Sequence, residues 1–125
     1  MFYYPIGEDA ELRLLEAGHA SALFALVDDN RHHLRQWLPW VDGTRAVEDS
    51  RTFIELCLRQ YAQSNGFQAG IWTQGQLAGV IGHHRIDWAS GATIIGYWLG
   101  ERFQGRGLMT RAVRAYMRHA FVELK

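Results

Sequence analysis

Arg102-Phe103-Gln104-Gly105-Arg106-Gly107 stands between a strand-like run, Ala92–Leu99, and a long amphipathic helical pattern over residues 108–124. A glycine-bearing turn that opens a helix is a ready anion site. The N–H groups of the first helical turn have no partner within the helix, and the helix dipole adds positive potential there. Gly105 and Gly107 carry no Cβ, so a phosphate can approach the main chain closely. Glycine also tolerates the dihedrals such a turn needs. The spacing is not G-x-x-x-x-G-K-[ST], which argues against a P-loop NTPase. Nor is it G-x-G-x-x-G after the first strand of a βαβ unit, which argues against a dinucleotide fold.

Downstream of the turn, Met109, Ala112, Val113, Tyr116, Met117, Ala120, Phe121 and Leu124 recur at helical spacing. Upstream, residues 67–73, 77–88 and 92–99 read as three strands. Gln74-Gly75-Gln76 and Ala89-Ser90-Gly91 are short connections, so the three form an antiparallel meander. Residues 46–64, with Val47, Phe53, Ile54, Cys57, Leu58 and Tyr61, predict a helix capped by Thr44 and ended by Asn65-Gly66. Residues 30–43 predict a loop or broken helix stopped by Pro39. Residues 18–29, with Ala20, Leu23, Phe24 and Val27, predict an earlier helix, and Leu12-Arg13-Leu14-Leu15 the first strand. The order β-α-α-β-β-β-α contains no internal repeat. It describes an α+β architecture, with helices packed on a mostly antiparallel sheet.

The 125 residues suffice for one domain with one core. Hydrophobic content of 48% and charged content of 21% belong to an ordinary folded chain rather than a disordered one. The formal net charge is zero, so no general attraction to nucleic acid or anionic membrane is expected. The lone Cys57 excludes a disulfide scaffold and favours a reducing, cytoplasmic setting. No apolar run approaches the length of a membrane span, and no signal peptide is expected. His19, His32, His33 and His119 have no acidic or cysteine neighbours at ligand spacing, so no metal is expected.

Arg102, Gly105 and Gly107 fit the [Arg/Gln]-x-x-Gly-x-[Gly/Ala] signature of the GCN5-related N-acetyltransferase (GNAT) superfamily. With Ile95-Gly96-Tyr97-Trp98-Leu99 before it and Leu108-Met109-Thr110 after it, the chain resembles that family over nearly its whole length. His33-Leu34-x-x-Trp37-Leu38-Pro39-Trp40 and Val80-Ile81-Gly82-His83-His84-x-Ile86-Asp87-Trp88 resemble its ribosomal-protein N-acetyltransferase (Rim) branch. The element order is similar to the N-terminal two-thirds of the GNAT fold. The resemblance therefore implies a single domain, residues 1–125, truncated after its third helix and lacking the C-terminal strands.

The resemblance implies acetyl-CoA as co-substrate and a primary amine as acceptor, either a protein N-terminus or a small amine. It implies that Gln104, Gly105, Arg106, Gly107, Leu108, Met109 and Thr110 hold the pyrophosphate, with Arg102 neutralising charge. Tyr97, Trp98 and Leu99 would carry the pantetheine arm as an added strand. The thioester carbonyl would lie near a bulge in that strand, which makes the N–H of Trp98 or Leu99 an oxyanion donor. Trp37, Leu38 and Trp40 would bind the acceptor. His84 and Asp87 are the candidates for taking the amine's proton. A truncated chain would leave residues 95–99 as an apolar sheet edge open to self-association. The competing expectation is a non-catalytic module that binds coenzyme A weakly or only pairs with another chain.

Overall fold

The computed structural model describes residues 3–7, 9–63, 68–87, 92–105 and 107–123. Among them are five strands: β1 (Tyr3–Pro5), β2 (Ala10–Leu14), β3 (Gln68–Thr73), β4 (Gln76–Asp87) and β5 (Ala92–Leu99). They form one sheet in the order β1-β2-β3-β4-β5, every neighbouring pair antiparallel. Helices α1 (Ala20–Asp29) and α2 (Arg31–Leu34) lead to a 3-10 turn, Pro39–Gly43, and then to α3 (Val47–Ala62). After β5 comes a second 3-10 turn, Glu101–Phe103, and α4 (Leu108–Glu123).

The meander follows its turn chemistry. Gln74 and Gly75 have φ of 50° and 77°, the two left-handed residues of a tight hairpin whose twist matches its strands. β2 alternates burial, with Ala10, Leu12 and Leu14 inward, as period two requires when one face meets the core. β3 and the first half of β4 are largely buried, through Ala69, Ile71, Ala78, Val80 and Ile81. On α4 the buried residues Leu108, Ala112, Ala115 and Tyr116 share one face. Tyr116, Leu12, Leu15, Ile54 and Ile71 are fully buried at the centre. Burying each such side chain stabilises the fold by roughly 1.5–3 kcal/mol before entropy is counted. Cys57 sits on the buried side of α3, and burial pushes its thiol up to about 12.

Three local expectations change. β1 is a strand that its short Tyr-Tyr-Pro sequence does not announce. Thr44 is not the cap of α3: its hydroxyl donates to the Trp40 carbonyl at 3.3 Å. The N-cap is Ala46, and the Asp49 carboxylate accepts the N–H groups of Ala46 (3.1 Å) and Arg45 (2.8 Å) instead. A carboxylate in the first turn does this work and also suits the dipole. Phe67, Trp88, Leu124, Asn65-Gly66 and the connection at 89–91 lie outside the described residues.

Candidate active site

β5 lies at the edge of the sheet. Among the described residues, its main chain therefore has one side paired with β4 and no strand on the other. The Gly100 N–H donates to the Ala78 carbonyl at 2.8 Å, so this pair is hydrogen-bonded. Antiparallel ladders alternate, and the register sets Leu99 opposite Gly79 and Trp98 opposite Val80. Trp98 therefore turns its N–H and carbonyl into β4. Tyr97 and Leu99 turn theirs outward, to the free edge. This corrects one expectation: the Trp98 N–H is consumed by the sheet and is no oxyanion donor, whereas the Leu99 N–H is free of the ladder. The irregularity in the pairing is also elsewhere. The register shifts between His83 and Arg85, opposite Ile95 and Ile94, while Trp98 and Leu99 pair regularly.

The free edge runs into the glycine turn. Gly105 and Gly107 adopt φ of 78° and 72°, the left-handed region that side chains avoid. A Cβ at either position would meet nothing within 4 Å, so the main chain there opens onto free space. The Arg111 N–H donates to the Gly107 carbonyl at 3.1 Å, which starts α4. The N–H groups of Leu108, Met109 and Thr110 precede the first intrahelical bond and are geometrically available to an anion.

A cleft of about 560 Å³ gathers these pieces. Tyr97, Trp98 and Leu99 line it from β5. Gln104, Gly105, Gly107, Leu108, Met109 and Thr110 line it from the turn and α4. His33, Leu34, Trp37 and Leu38 close it from the α2 corner. The donor set fits a pantetheine-diphosphate: a strand edge with no neighbour among the described residues for the amide arm, then the N–H groups of a helix start for the phosphates.

Other expected residues fall differently. Arg102 is not on the cleft. Its guanidinium donates to Gln76 Oε1 at 2.8 Å and lies over the Phe103 ring, 4.6 Å from its centroid, so it secures the β3–β4 turn. Arg106 lies outside the described residues. His84 and Asp87 are on β4 by their backbone, and their side chains are outside the described set. The aromatic loop is split. Trp37 and Leu38 face the same cleft as the glycine turn. Trp40 instead walls a second, apolar pocket of about 270 Å³ with Leu23, Val27, Phe53 and Trp98. There its ring lies 6.5 Å from that of Phe53, nearly parallel at 14°, and 5.9 Å from that of Trp98. Thr44, Asp49 and the buried Ser50 add polar atoms to this pocket.

Side chains that the sequence did not single out hold these walls in place. Arg31 donates to the carbonyls of Val41 and Thr44, both at 2.8 Å, and pairs with Asp28 at 2.9 Å. It thereby fixes the turn that carries Trp40. Phe53 belongs to the apolar pattern of α3 and reads as core until the fold sets it beside Trp40. Nothing in a one-dimensional pattern separates the two cases.

Comparison with known proteins agrees with this geometry. The acetyltransferase (GNAT) domain family model matches residues 10–125. A protein named putative ribosomal N-acetyltransferase YdaF, of Bacillus subtilis (strain 168), is 36% identical over 126 aligned positions, covering 100% of this chain and 69% of the relative. The ribosomal-protein-serine acetyltransferase of Escherichia coli (strain K12) is 31% identical, over 91% of this chain and 64% of that protein. A solved structure of RimL, the ribosomal L7/L12 alpha-N-protein acetyltransferase, contains coenzyme A in disulfide linkage to a cysteine of that protein. It superposes with a TM-score of 0.92 at 31% identity, over 95% of this chain and 67% of that one. The chain thus spans about two thirds of the length of these relatives. On the strength of the family match and of these identities, the chain belongs to the GNAT acetyltransferases, enzymes that use acetyl-CoA as co-substrate.

Proposed function

We propose that this chain forms the acetyl-CoA-binding and acceptor-facing part of an N-acetyltransferase that acylates a protein N-terminal amine, of the ribosomal-protein kind. One observation carries the reading: the outward main chain of Tyr97 and Leu99 continues directly into the glycine turn within a single cleft. Acetyl-CoA supplies an activated acyl group. The outward N–H and carbonyl groups of Tyr97 and Leu99 orient its arm, and the N–H groups of residues 105 and 107–110 neutralise its diphosphate. Trp40, Phe53 and Trp98 take the residue that bears the amine, in the pocket adjoining β5. The N–C bond forms as the C–S bond breaks, the amine loses a proton to a base, and the departing thiolate gains one. His84 and Asp87 are the base candidates, on the stretch of β4 that pairs with the early part of β5. The Leu99 N–H is the surviving donor for the developing oxyanion. Names of the similar proteins support the acceptor class, since YdaF, the Escherichia coli enzyme and RimL are all described as acting on ribosomal proteins.

The test is thiol release from acetyl-CoA in the presence of peptides with a free or a blocked N-terminus, with mass spectrometry of the peptide. The expected result is one acetyl group on the free α-amine and none on the blocked peptide. Acetylation of small amines alone would overturn the protein-acceptor reading. Tight coenzyme A binding with no transfer to any amine would overturn the catalytic one.

A further inference from the structure

The wall facing β5 includes a side chain that this mechanism leaves without a task. His33, on α2, has a side chain only 14% exposed. Its Nε2 lies 3.0 Å from the Gln104 side-chain amide nitrogen, and its Nδ1 faces the Glu101 carboxylate at 4.0 Å. The Trp37 ring meets it edge-on, at 5.1 Å between centroids. One helical turn earlier, Asn30 makes a second bridge to the same segment. Its Oδ1 accepts the Glu101 N–H at 2.8 Å, and its Nδ2 donates to the Leu26 carbonyl at 2.8 Å. Gly100 permits this approach, because a Cβ there would stand 3.0 Å from Leu26 Cδ1 and 3.1 Å from Asn30 Nδ2.

The chemistry of the ring follows from its neighbours. With the Gln104 amide donating, Nε2 is the lone-pair nitrogen, and the ring proton is on Nδ1, toward Glu101. A carboxylate beside a phosphate site works against the anion. Facing the His33 Nδ1–H gives Glu101 a reason to be there. The turn contains two left-handed glycines, whose dihedrals no Cβ restricts. A site made of main-chain N–H groups binds an anion well only if those groups are already aimed, since ordering them on binding lowers affinity.

We propose that His33 is a positioning residue: through Gln104 it fixes the glycine turn against α2, and so sets the affinity for the phosphates of coenzyme A. This rests on the phosphate role assigned to the turn. His33 acts through its neighbour.

Two measurements on the purified chain test it: calorimetry with coenzyme A, and amide hydrogen exchange without ligand at Gln104 and Arg111, whose N–H groups are bonded to the Glu101 and Gly107 carbonyls. His33→Ala should weaken coenzyme A binding by about three- to tenfold, the worth of one lost neutral hydrogen bond. His33→Gln should restore most of that affinity, because its side-chain oxygen can accept the Gln104 N–H. In the Gln104→Ala background, His33→Ala should add no further loss. The Gln104 and Arg111 amides should exchange faster in His33→Ala while that of the buried Tyr116 is unchanged. Unaltered affinity, losses that add, or unaltered exchange at those two amides would each overturn the proposal. If the unaltered chain takes up no coenzyme A, the phosphate reading fails, and exchange at Gln104 and Arg111 alone decides whether His33 holds the turn.

Discussion

The two pockets that meet at Trp98 are made of different material. At the phosphate end the working groups are main chain: the outward edge of β5, two left-handed glycines and the start of α4. In the second pocket, the proposed acceptor site, they are side chains from separate elements: Trp40 on a 3-10 turn, Phe53 on α3 and Trp98 on β5. A main-chain site is specified by a short contiguous segment, because its geometry needs only the right dihedrals in the right order. A side-chain pocket is specified by the tertiary fold, and any of its walls can change without disturbing the backbone. The phosphate end is therefore suited to one fixed ligand, and the acceptor end to variation.

This contrast is sharpest under substitution. Gly105→Val should give the largest effect. At φ of 78° a branched residue is strained, and its Cβ enters the open space where a phosphate would approach. Left-handed strain alone costs about 1–2 kcal/mol per residue, so coenzyme A affinity should fall by about five- to thirtyfold. Gly43→Ala, at another open position but without positive φ, is the control and should leave affinity unchanged. Equal effects of the two variants in calorimetry would remove the distinction between a main-chain site and an ordinary glycine turn.

Trp40→Ala should come next and fall on the other end. Removing one aromatic wall should raise the acceptor KM by about five- to tenfold, with the acetyl-CoA KM unchanged. Steady-state kinetics with each substrate varied in turn would read the split. If the acetyl-CoA KM rises in parallel, the pocket of Trp40, Phe53 and Trp98 belongs to the co-substrate, and the two ends are one site.

The smallest effect lies outside the cleft and tests whether the scaffold behaves independently of it. His19 accepts the Glu16 N–H on Nδ1 at 3.0 Å and packs on Trp72 at 5.0 Å. Burial holds its pKa below the usual 6.5, with Arg13 acting in the same sense and Glu16 against it. The unfolded chain then binds the proton more readily than the folded one. The contribution is present above pH 6.5 and is lost as the pH falls through the depressed folded value. Thermal unfolding should show lower stability at pH 5 than at pH 7.5. His19→Asn, which keeps a side-chain acceptor but cannot titrate, should flatten part of that slope. An identical slope in the variant would relocate the proton linkage to other groups.

Legibility in the sequence divides along the same line. The glycine turn, the meander and the helix after it were readable, since each follows from local chemistry: two glycines, a Gln-Gly turn, an apolar stripe from Leu108 to Tyr116. The pairing of Trp40 with Phe53 was not, because a loop tryptophan and a helical phenylalanine meet only through the packing of α3. Arg102 shows the opposite failure. A cation beside a phosphate motif invites a phosphate role, yet the side chain reaches back to Gln76 and Phe103. The Trp98 N–H was misjudged for a related reason. Which residue of an edge strand faces outward depends on ladder parity, and parity is set by the partner strand.

One buried atom has a practical meaning. The structure of RimL holds coenzyme A covalently captured by a cysteine of that protein. Here the sole cysteine of the chain, Cys57, is 5% exposed on α3, and its thiol is pushed up to about 12. A protonated, enclosed sulfur does not exchange with disulfides. Cys57 is therefore no sulfur for spent coenzyme to be trapped on. In a colorimetric thiol assay of native protein, Cys57 would add no baseline to the product signal.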